Sequence, residues 1–365
     1  MSDATALARA HFLHGIDHFE QGRMEDAAQA FEAALVLAPG RPSVLSNLGL
    51  TRFHQGRFED AAAHLQAAAS ADPEQPSTWV ALGRCLGQLG RPDEALPALE
   101  RALALDDTIA EAWSLRGNLL REARQLPEAA HCFERALALG ADPELHRYFL
   151  AAVTGGEAPE RPPRAYVETL FDDYADSFQQ HLTHGLRYQG PERLLQMLQA
   201  QGATRFEAVL DLGCGTGLCG ALLRPLCGHL AGVDLSERMV AQARDSGHYD
   251  ALVHADVTDA LAGPPQRLDL IIAADVFIYV GRLEAVFAGV AHTLRPGGWL
   301  AFTVERAPDA ADVQLLPSLR HAHSEPYLRR LAHTHGLQVR LLQEAPLRED
   351  HGRPVSGWYV LMRAG

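Results

Sequence analysis

Small and bulky apolar residues recur with a 34-residue period through the first part of the chain. Gly15, Gly49, Gly83 and Gly117 are evenly spaced, as are Ala27, Ala61, Ala95 and Ala129, and again Ala34, Ala68, Ala102 and Ala136. One large apolar residue per period, Phe31, Leu65, Leu99 or Phe133, falls between the alanines. A period of this length predicts stacked helical hairpins. Small residues let paired helices approach, and the large one fills the space between them. Pro39 and Pro73 close the first two periods, since proline ends a helix; Asp107 and Ala141 stand there in the next two.

The pattern changes after Thr154-Gly155-Gly156-Glu157-Ala158-Pro159-Glu160-Arg161-Pro162-Pro163, a Gly-, Pro- and charge-rich stretch suited to an exposed boundary. Beyond about residue 206, short apolar runs alternate with helical stretches. Strands are predicted at Ala208–Asp211, Leu230–Asp234, Ala251–His254, Leu268–Ile272 and Trp299–Val304, with two closing strands at Leu337–Leu342 and Gly357–Met362. Ser236 is placed to cap the helix after the second strand. Such alternation predicts a parallel, doubly wound α/β sheet that binds ligands at the carboxyl ends of its strands. The expected organisation is a repeat domain over 1–150, a linker over 151–165 and a second domain over 166–365.

With Trp79 and Trp113 near the starts of their units, the period resembles the tetratricopeptide repeat, four units over about residues 8–143. The resemblance implies an all-α solenoid whose concave face is lined by the first helix of each unit. Phe12, Ile16, Leu50 and Phe53 would line it early, and Arg84, Ser114, Asn118 and Arg121 later. A peptide- or protein-binding groove is one reading. A packing or dimerisation module is an equal alternative, because a repeat fold names no ligand.

Composition narrows the partners. The chain has 365 residues, 47% of them hydrophobic, enough for two globular domains. Its formal net charge of −14 repels a phosphate backbone in bulk, so nucleic acid is not the expected partner. No apolar run reaches the roughly 18 residues of a membrane span, so no membrane role is expected. The start, Met1-Ser2-Asp3-Ala4, lacks the basic flank and apolar run of a secretory leader. Five cysteines without a CxxC pair indicate neither a disulfide framework nor a zinc site, and a reducing cytoplasm is the expected location.

The candidate chemistry begins at Asp211-Leu212-Gly213-Cys214-Gly215-Thr216-Gly217, the loop after the first predicted strand. Glycines there let the backbone turn tightly and approach a ligand, and the next helix N-terminus can offer amides to an anionic group. A dinucleotide fingerprint would need a third glycine where Leu218 stands. Spaced as D-x-G-x-G-x-G, the loop resembles the first motif of class I S-adenosylmethionine (SAM) dependent methyltransferases. Asp234 ends the second strand, Asp256 follows the third, and Leu294-Arg295-Pro296-Gly297-Gly298 precedes the fifth, as in that family. The resemblance implies a Rossmann-like seven-stranded domain with SAM as cofactor and S-adenosylhomocysteine as product. It places Asp211, Gly213, Cys214, Gly215, Gly217, Asp234, Leu235, Met239, Asp256 and Val257 around that cofactor. Asp234 would accept the ribose hydroxyls and Asp256 the adenine amino group.

A nearer resemblance, to bacterial methyltransferases fused to tetratricopeptide repeats, rests on Phe171-Asp172-Asp173-Tyr174-Ala175-Asp176-Ser177-Phe178, His181-Leu182 and Tyr188-Gln189-Gly190-Pro191. In related enzymes this segment is a lid, so Tyr174, Phe178 and Tyr188 are expected to cover the cofactor. Core packing is an equal alternative for Phe178.

Methyl transfer from SAM can proceed on proximity and orientation, worth about 7–11 kcal/mol, with a base needed mainly when the acceptor must lose a proton. Asp275-Val276-Phe277-Ile278-Tyr279 follows the fourth strand, on the edge where acceptors sit. Asp275 is expected to take a proton or orient SAM, and Tyr279 to touch the acceptor. His321 and His323 precede the helix predicted near Ser324, with His323 the first choice for a base and His321 the second. His333 and His335 fall late in that helix and are expected to face solvent; the four are poorly spaced for a metal, and none is expected. Arg320 and Arg348 are candidates to hold a carboxylate, with a surface role the commoner fate. Cys214 is expected to be a small packing residue.

The expected function is therefore methylation of a peptide or protein recruited by the repeats. A small-molecule acceptor, with the repeats used for assembly, is the alternative. A non-catalytic SAM-binding adaptor is a third reading, which the full set of Asp211, Asp234 and Asp256 opposes.

Overall fold

The computed structural model describes residues 3–180, 188–263, 267–350 and 353–365, with the side chains of 3, 173, 174, 176–180 and 350 outside that description. The chain divides into two compact units, Met1–Thr154 and Gly155–Gly365.

The first unit is a run of helices: α1 (Asp3–Glu20), α2 (Met24–Leu37), α3 (Pro42–His54), α4 (Phe58–Ala71), α5 (Pro76–Gln88), α6 (Pro92–Leu105), α7 (Ala110–Glu122), α8 (Leu126–Ala138) and α9 (Pro143–Thr154). Each 34-residue period is one hairpin, and the glycines show why it is small at that register. A Cβ on Gly15, Gly49, Gly83 or Gly117 would lie 2.5–2.7 Å from the side chain of Phe31, Leu65, Leu99 or Phe133, each sixteen residues further on. Hydrogen bonds tie neighbouring hairpins, Ser46 Oγ to Thr78 Oγ1 at 3.3 Å and Ser114 Oγ to His146 Nε2 at 2.6 Å. His146 belongs to α9, which continues past residue 150 and covers the last hairpin, its Tyr148 fully buried.

The second unit begins with α10 (Arg164–Gln180) and α11 (Gly190–Ala200). The alternation follows: β1 (Phe206–Leu212), α12 (Leu218–Leu223), β2 (Cys227–Asp234), α13 (Glu237–Asp245), β3 (Ala251–His254), α14 (Val257–Leu261), β4 (Leu268–Ala273), α15 (Glu284–Thr293) and β5 (Leu294–Arg306). It closes with β6 (Val313–Leu315), β7 (His321–His323), α16 (Glu325–Thr334), β8 (Leu337–Asp350) and β9 (Arg353–Ala364). Strands β3-β2-β1-β4-β5 are parallel, and β9, antiparallel to β5, carries β8 as its hairpin partner. That is the expected seven-stranded sheet. Two three-residue strands are added: the end of β5, Glu305 and Arg306, pairs with β7, and β7 pairs with β6. One apolar layer holds Phe277, Phe287, Phe302 and Tyr327; the other holds Leu194, Leu198, Phe206 and Tyr359. No helix among the described residues is long and apolar enough to cross a membrane.

The Leu294–Gly298 segment lies at the start of β5, at the end of the sheet away from the glycine loop. Arg295 pairs with Asp269, whose Oδ2 accepts from the Glu207 and Ala208 amides at 3.1 and 2.8 Å. It anchors β1, β4 and β5 to one another.

Candidate active site

Three strand ends build one half of the site. β1 runs into the glycine loop, where Gly213, Gly215 and Gly217 take φ of 64°, 53° and 97°, a region open to glycine at little cost. The loop docks on β2 through Cys214 N to Val233 O at 2.9 Å. Asp234, ending β2, accepts from Gly215 N at 2.8 Å and from Ser236 N at 2.9 Å. Ser236 in turn caps α13 through Met239 N. Asp256, after β3, caps α14: its Oδ1 accepts from the amide and hydroxyl of Thr258 at 2.7 and 2.5 Å, bonds that leave Oδ2 for another donor.

Burial sets the charges here. Asp211 is fully buried, which pushes its carboxyl up to about 7 even though Tyr249 donates to it at 2.7 Å. Burial also raises Asp234, against the amides that favour its charged form. Asp211 Oδ1 and Thr216 Oγ1 are buried with no hydrogen-bond partner among the described residues. Orphaned polar atoms of this kind call for a ligand, and a zwitterionic amino acid group fits a carboxylate and a hydroxyl set among loop amides. The expected pull of the next helix is weak, because α12 has only six residues.

The other half lies at the carboxyl ends of β4 and β5. It abuts the first: a Cβ on Gly213 would sit 2.5 Å from Val276. Asp275 holds a left-handed backbone, φ 62°, which strains a residue with a side chain. Its amide donates to Thr303 Oγ1 at 2.8 Å, and its Oδ1 accepts from Arg348 at 2.5 Å. Arg348 is buried and also pairs with Glu305, so it is an interior clamp and not a surface residue. Arg320 donates from Nε to the Tyr279 hydroxyl at 3.3 Å. Phe171 of α10 meets the Tyr279 ring edge-on at 5.0 Å. The Tyr188 hydroxyl is buried with no hydrogen-bond partner among the described residues, in the field of Asp275 and Arg348, and burial raises it well above the usual tyrosine range.

His321 and His323 precede α16, as expected, but they do so inside β7, and both are buried. His323 Nε2 bonds the Gly281 carbonyl at 2.7 Å, and burial pushes the ring down to about 3. Burial likewise pushes His321 down to about 4. A neutral, enclosed imidazole committed to a carbonyl anchors the 277–281 turn and is poorly placed to take an acceptor's proton.

The remaining expected residues are dispersed. Leu235 is half-buried and its carbonyl bonds His254 at 2.8 Å; Met239 and Val257 are core side chains. Cys214 is buried in the loop. Tyr174 and Phe178 lie on α10, but their side chains, like His181 and Leu182, lie outside the described residues. α10 itself is tied to α13: Ser236 Oγ donates to Asp172 at 2.5 Å, Arg238 to the Asp172 carbonyl at 2.6 Å and Gln242 to the Ala175 carbonyl at 3.0 Å. Thr216, Tyr249, Glu305 and Asp172 were given no individual role by sequence, although Thr216 lies inside the quoted glycine loop and Asp172 inside the quoted lid segment.

In the repeat unit Arg84 is half-buried, paired with Glu111 and 6.0 Å from the Phe53 ring centroid; Arg121 lies beside Glu122 at 3.3 Å. Ser114 is engaged by His146, and Asn118 is half-buried.

Comparisons with known proteins agree with the two units. Residues 210–302 match a methyltransferase domain, and 12–76, 52–119 and 110–142 match tetratricopeptide repeats. A malonyl-[acyl-carrier protein] O-methyltransferase of Enterobacter lignolyticus is 32% identical over 156 residues, 43% of this chain and 57% of that one. A ubiquinone biosynthesis O-methyltransferase of Thiobacillus denitrificans is 29% identical over 99 residues, 26% and 43% of the two chains. The chain thus spans about half the length of the curated relatives it matches. Among solved structures, the magnesium protoporphyrin IX methyltransferase of Synechocystis aligns with a TM-score of 0.45 at 17% identity, over 55% of this chain and 99% of that one. The chain carries tetratricopeptide repeats followed by a stretch that matches a methyltransferase domain.

Proposed function

We propose that the chain transfers a methyl group from SAM to an acceptor held beside Asp275 and Tyr279, and that the repeat unit recruits this acceptor as a peptide or protein. The observation that carries the reading is the left-handed glycine loop flanked by Asp234 and Asp256, with Asp211 Oδ1 and Thr216 Oγ1 orphaned inside it. When bound, the cofactor supplies an electrophilic methyl on a sulfonium, open to in-line displacement.

The chain's residues do the rest. Asp234 holds the ribose hydroxyls, Asp256 Oδ2 the adenine amino group, and Asp211 with Thr216 the amino acid end. Arg348 and Glu305 lock Asp275 in its strained turn, and Tyr279 with Arg320 lines the acceptor side. The buried histidines take no proton. An acceptor that needs deprotonation gives it to Asp275, while one already anionic needs only alignment. The recruiting surface is the concave face bearing Arg84, Ser114, Asn118 and Arg121.

A second reading, a small or carrier-bound acceptor with the repeats used for assembly, draws support from the two relatives named as O-methyltransferases. The test uses the full chain. S-adenosylhomocysteine should bind by calorimetry, and labelled methyl from SAM should enter the protein fraction of a cell extract. Replacing Arg84 and Asn118 by alanine should then raise the acceptor KM at least about fivefold, a loss of roughly 1 kcal/mol, with kcat unchanged. Label confined to small molecules, with both variants neutral, establishes the second reading instead. A wild-type chain that binds no S-adenosylhomocysteine overturns the cofactor assignment and revives the non-catalytic adaptor, with a vestigial SAM fold.

A further inference from the structure

We infer that Tyr249 is a positioning residue of the cofactor site: its phenol holds the Asp211 carboxylate, and its ring sets the spacing of the glycine loop against α12 and β2. The inference rests on the cofactor assignment above. Tyr249 lies in the connection before β3, thirty-eight residues from Asp211, and no motif marks it.

Glycines on three elements lie against this ring. A Cβ on Gly220 of α12 would lie 2.6 Å from it, one on Gly232 of β2 2.9 Å, and one on Gly217 of the loop 3.3 Å. The tyrosine is also held from behind. The next residue, Asp250, is clamped to Leu230 in both directions: its amide donates to the Leu230 carbonyl at 2.8 Å, and its Oδ2 accepts the Leu230 amide at 2.7 Å. Arg224 donates to the same carboxylate at 2.6 Å. The ring is therefore a fixed wedge beneath the loop, with its hydroxyl aimed at Asp211 Oδ2 at 2.7 Å. The second oxygen, Oδ1, is the orphaned buried atom already described.

The groups facing Asp211 are Tyr249, Cys214 of the loop, Cys219 of α12 and Asp234 of β2. Among the described residues Tyr249 and Cys219 favour the charged carboxylate by hydrogen bonding, while burial and Asp234 oppose it. Removing the phenol hydroxyl leaves the anion with one donor fewer, so Asp211 should ionise at higher pH and present a neutral acid to the cofactor's ammonium near neutrality.

The test titrates S-adenosylhomocysteine into the full chain by calorimetry from pH 6 to 8.5, for wild type, Tyr249→Phe and Tyr249→Leu. The Asp211 carboxyl is followed by carbon NMR in the ligand-free proteins. Wild-type affinity should fall as pH drops through about 7. In Tyr249→Phe both midpoints should move up by about one unit, making binding at pH 7 weaker by up to about tenfold. Tyr249→Leu, which also loses the ring, should bind more weakly at every pH, including 8.5. An unmoved Asp211 midpoint in Tyr249→Phe overturns the proposal. So does a lower melting temperature with an unchanged affinity–pH profile, which would make the residue ordinary core. Failure of the wild type to bind overturns the cofactor assignment instead, and the carboxyl titration still decides whether Tyr249 holds Asp211.

Discussion

In the repeat unit Gly15, Gly49, Gly83 and Gly117 lie inside helices and are small for the sake of a side chain sixteen residues away. In the catalytic unit Gly213, Gly215 and Gly217 are glycines first for their backbone, each with φ above 50°. The two sets fail differently when altered. An intruding side chain in the repeats disturbs packing between two helices that other hairpins still flank, whereas in the loop it displaces the backbone proposed to meet the cofactor. On the proposed function, stability is spread along the first unit and activity is concentrated at one sheet edge of the second.

The sharpest way to break that contrast is a matched pair. Gly213→Val puts a branched residue at φ 64°, with its Cβ 2.5 Å from Val276. Strain and overpacking together should weaken S-adenosylhomocysteine binding by on the order of 100-fold in calorimetry. Gly83→Val places a Cβ 2.6 Å from Leu99 and should destabilise the first unit by about 1–3 kcal/mol in denaturant melts, with binding unchanged within about twofold. Equal losses of binding in both variants would show that the two units do not divide the labour in this way.

Asp211→Asn separates stability from function within the catalytic unit. Burial raises the folded Asp211 to about 7, above the ordinary carboxylate value. As pH climbs from about 4, the unfolded chain releases its proton first, so this residue lowers stability progressively up to about 7 and the deficit persists above it. Asparagine has no charge to bury. The ligand-free variant should melt higher than wild type at pH 8, by at least the roughly 2–4 °C that 1 kcal/mol gives in a unit of this size, and the gain should shrink towards pH 4. Binding at pH 8 should meanwhile fall about tenfold or more, through loss of a charged partner. A variant that melts lower at pH 8 would mean that the buried carboxylate is held by bonds worth more than its desolvation.

What could be read in advance follows the same contrast. The repeats announce themselves because each hairpin solves one packing problem, and Gly83 with Leu99 restates Gly49 with Leu65. The acids at the strand ends, Asp211, Asp234 and Asp256, were legible because chain order fixes which end of a parallel sheet they reach. Long-range partnerships were not. Arg348 meets Asp275 and Glu305 across 73 and 43 residues, and nothing local distinguishes it from a surface arginine. The His321 and His323 imidazoles looked like bases because sequence gives residue type but not burial, and β7 is too short to show a strand alternation. α9 escaped notice because it departs from the repeat it covers.

The finest test lies in a turn. Gly22, Gly56 and Gly90, one period apart, take φ of 75°, 73° and 67° between the two helices of their hairpins. The fourth hairpin has the same turn with Arg124, exposed, at φ 61°. A left-handed conformation costs a residue with a Cβ about 1–2 kcal/mol, part of which glycine returns through its looser unfolded chain. Arg124→Gly should therefore stabilise the repeat unit by about 0.5–1 kcal/mol, read as a small rise in its denaturation midpoint at constant slope. Gly56→Arg should lower it by a similar amount, since the turn is the same and only its occupant differs. If Arg124→Gly were destabilising, the arginine side chain would be contributing more than its backbone strain costs, and the fourth hairpin would be the one place in the repeat unit where something other than repeat packing fixed the residue.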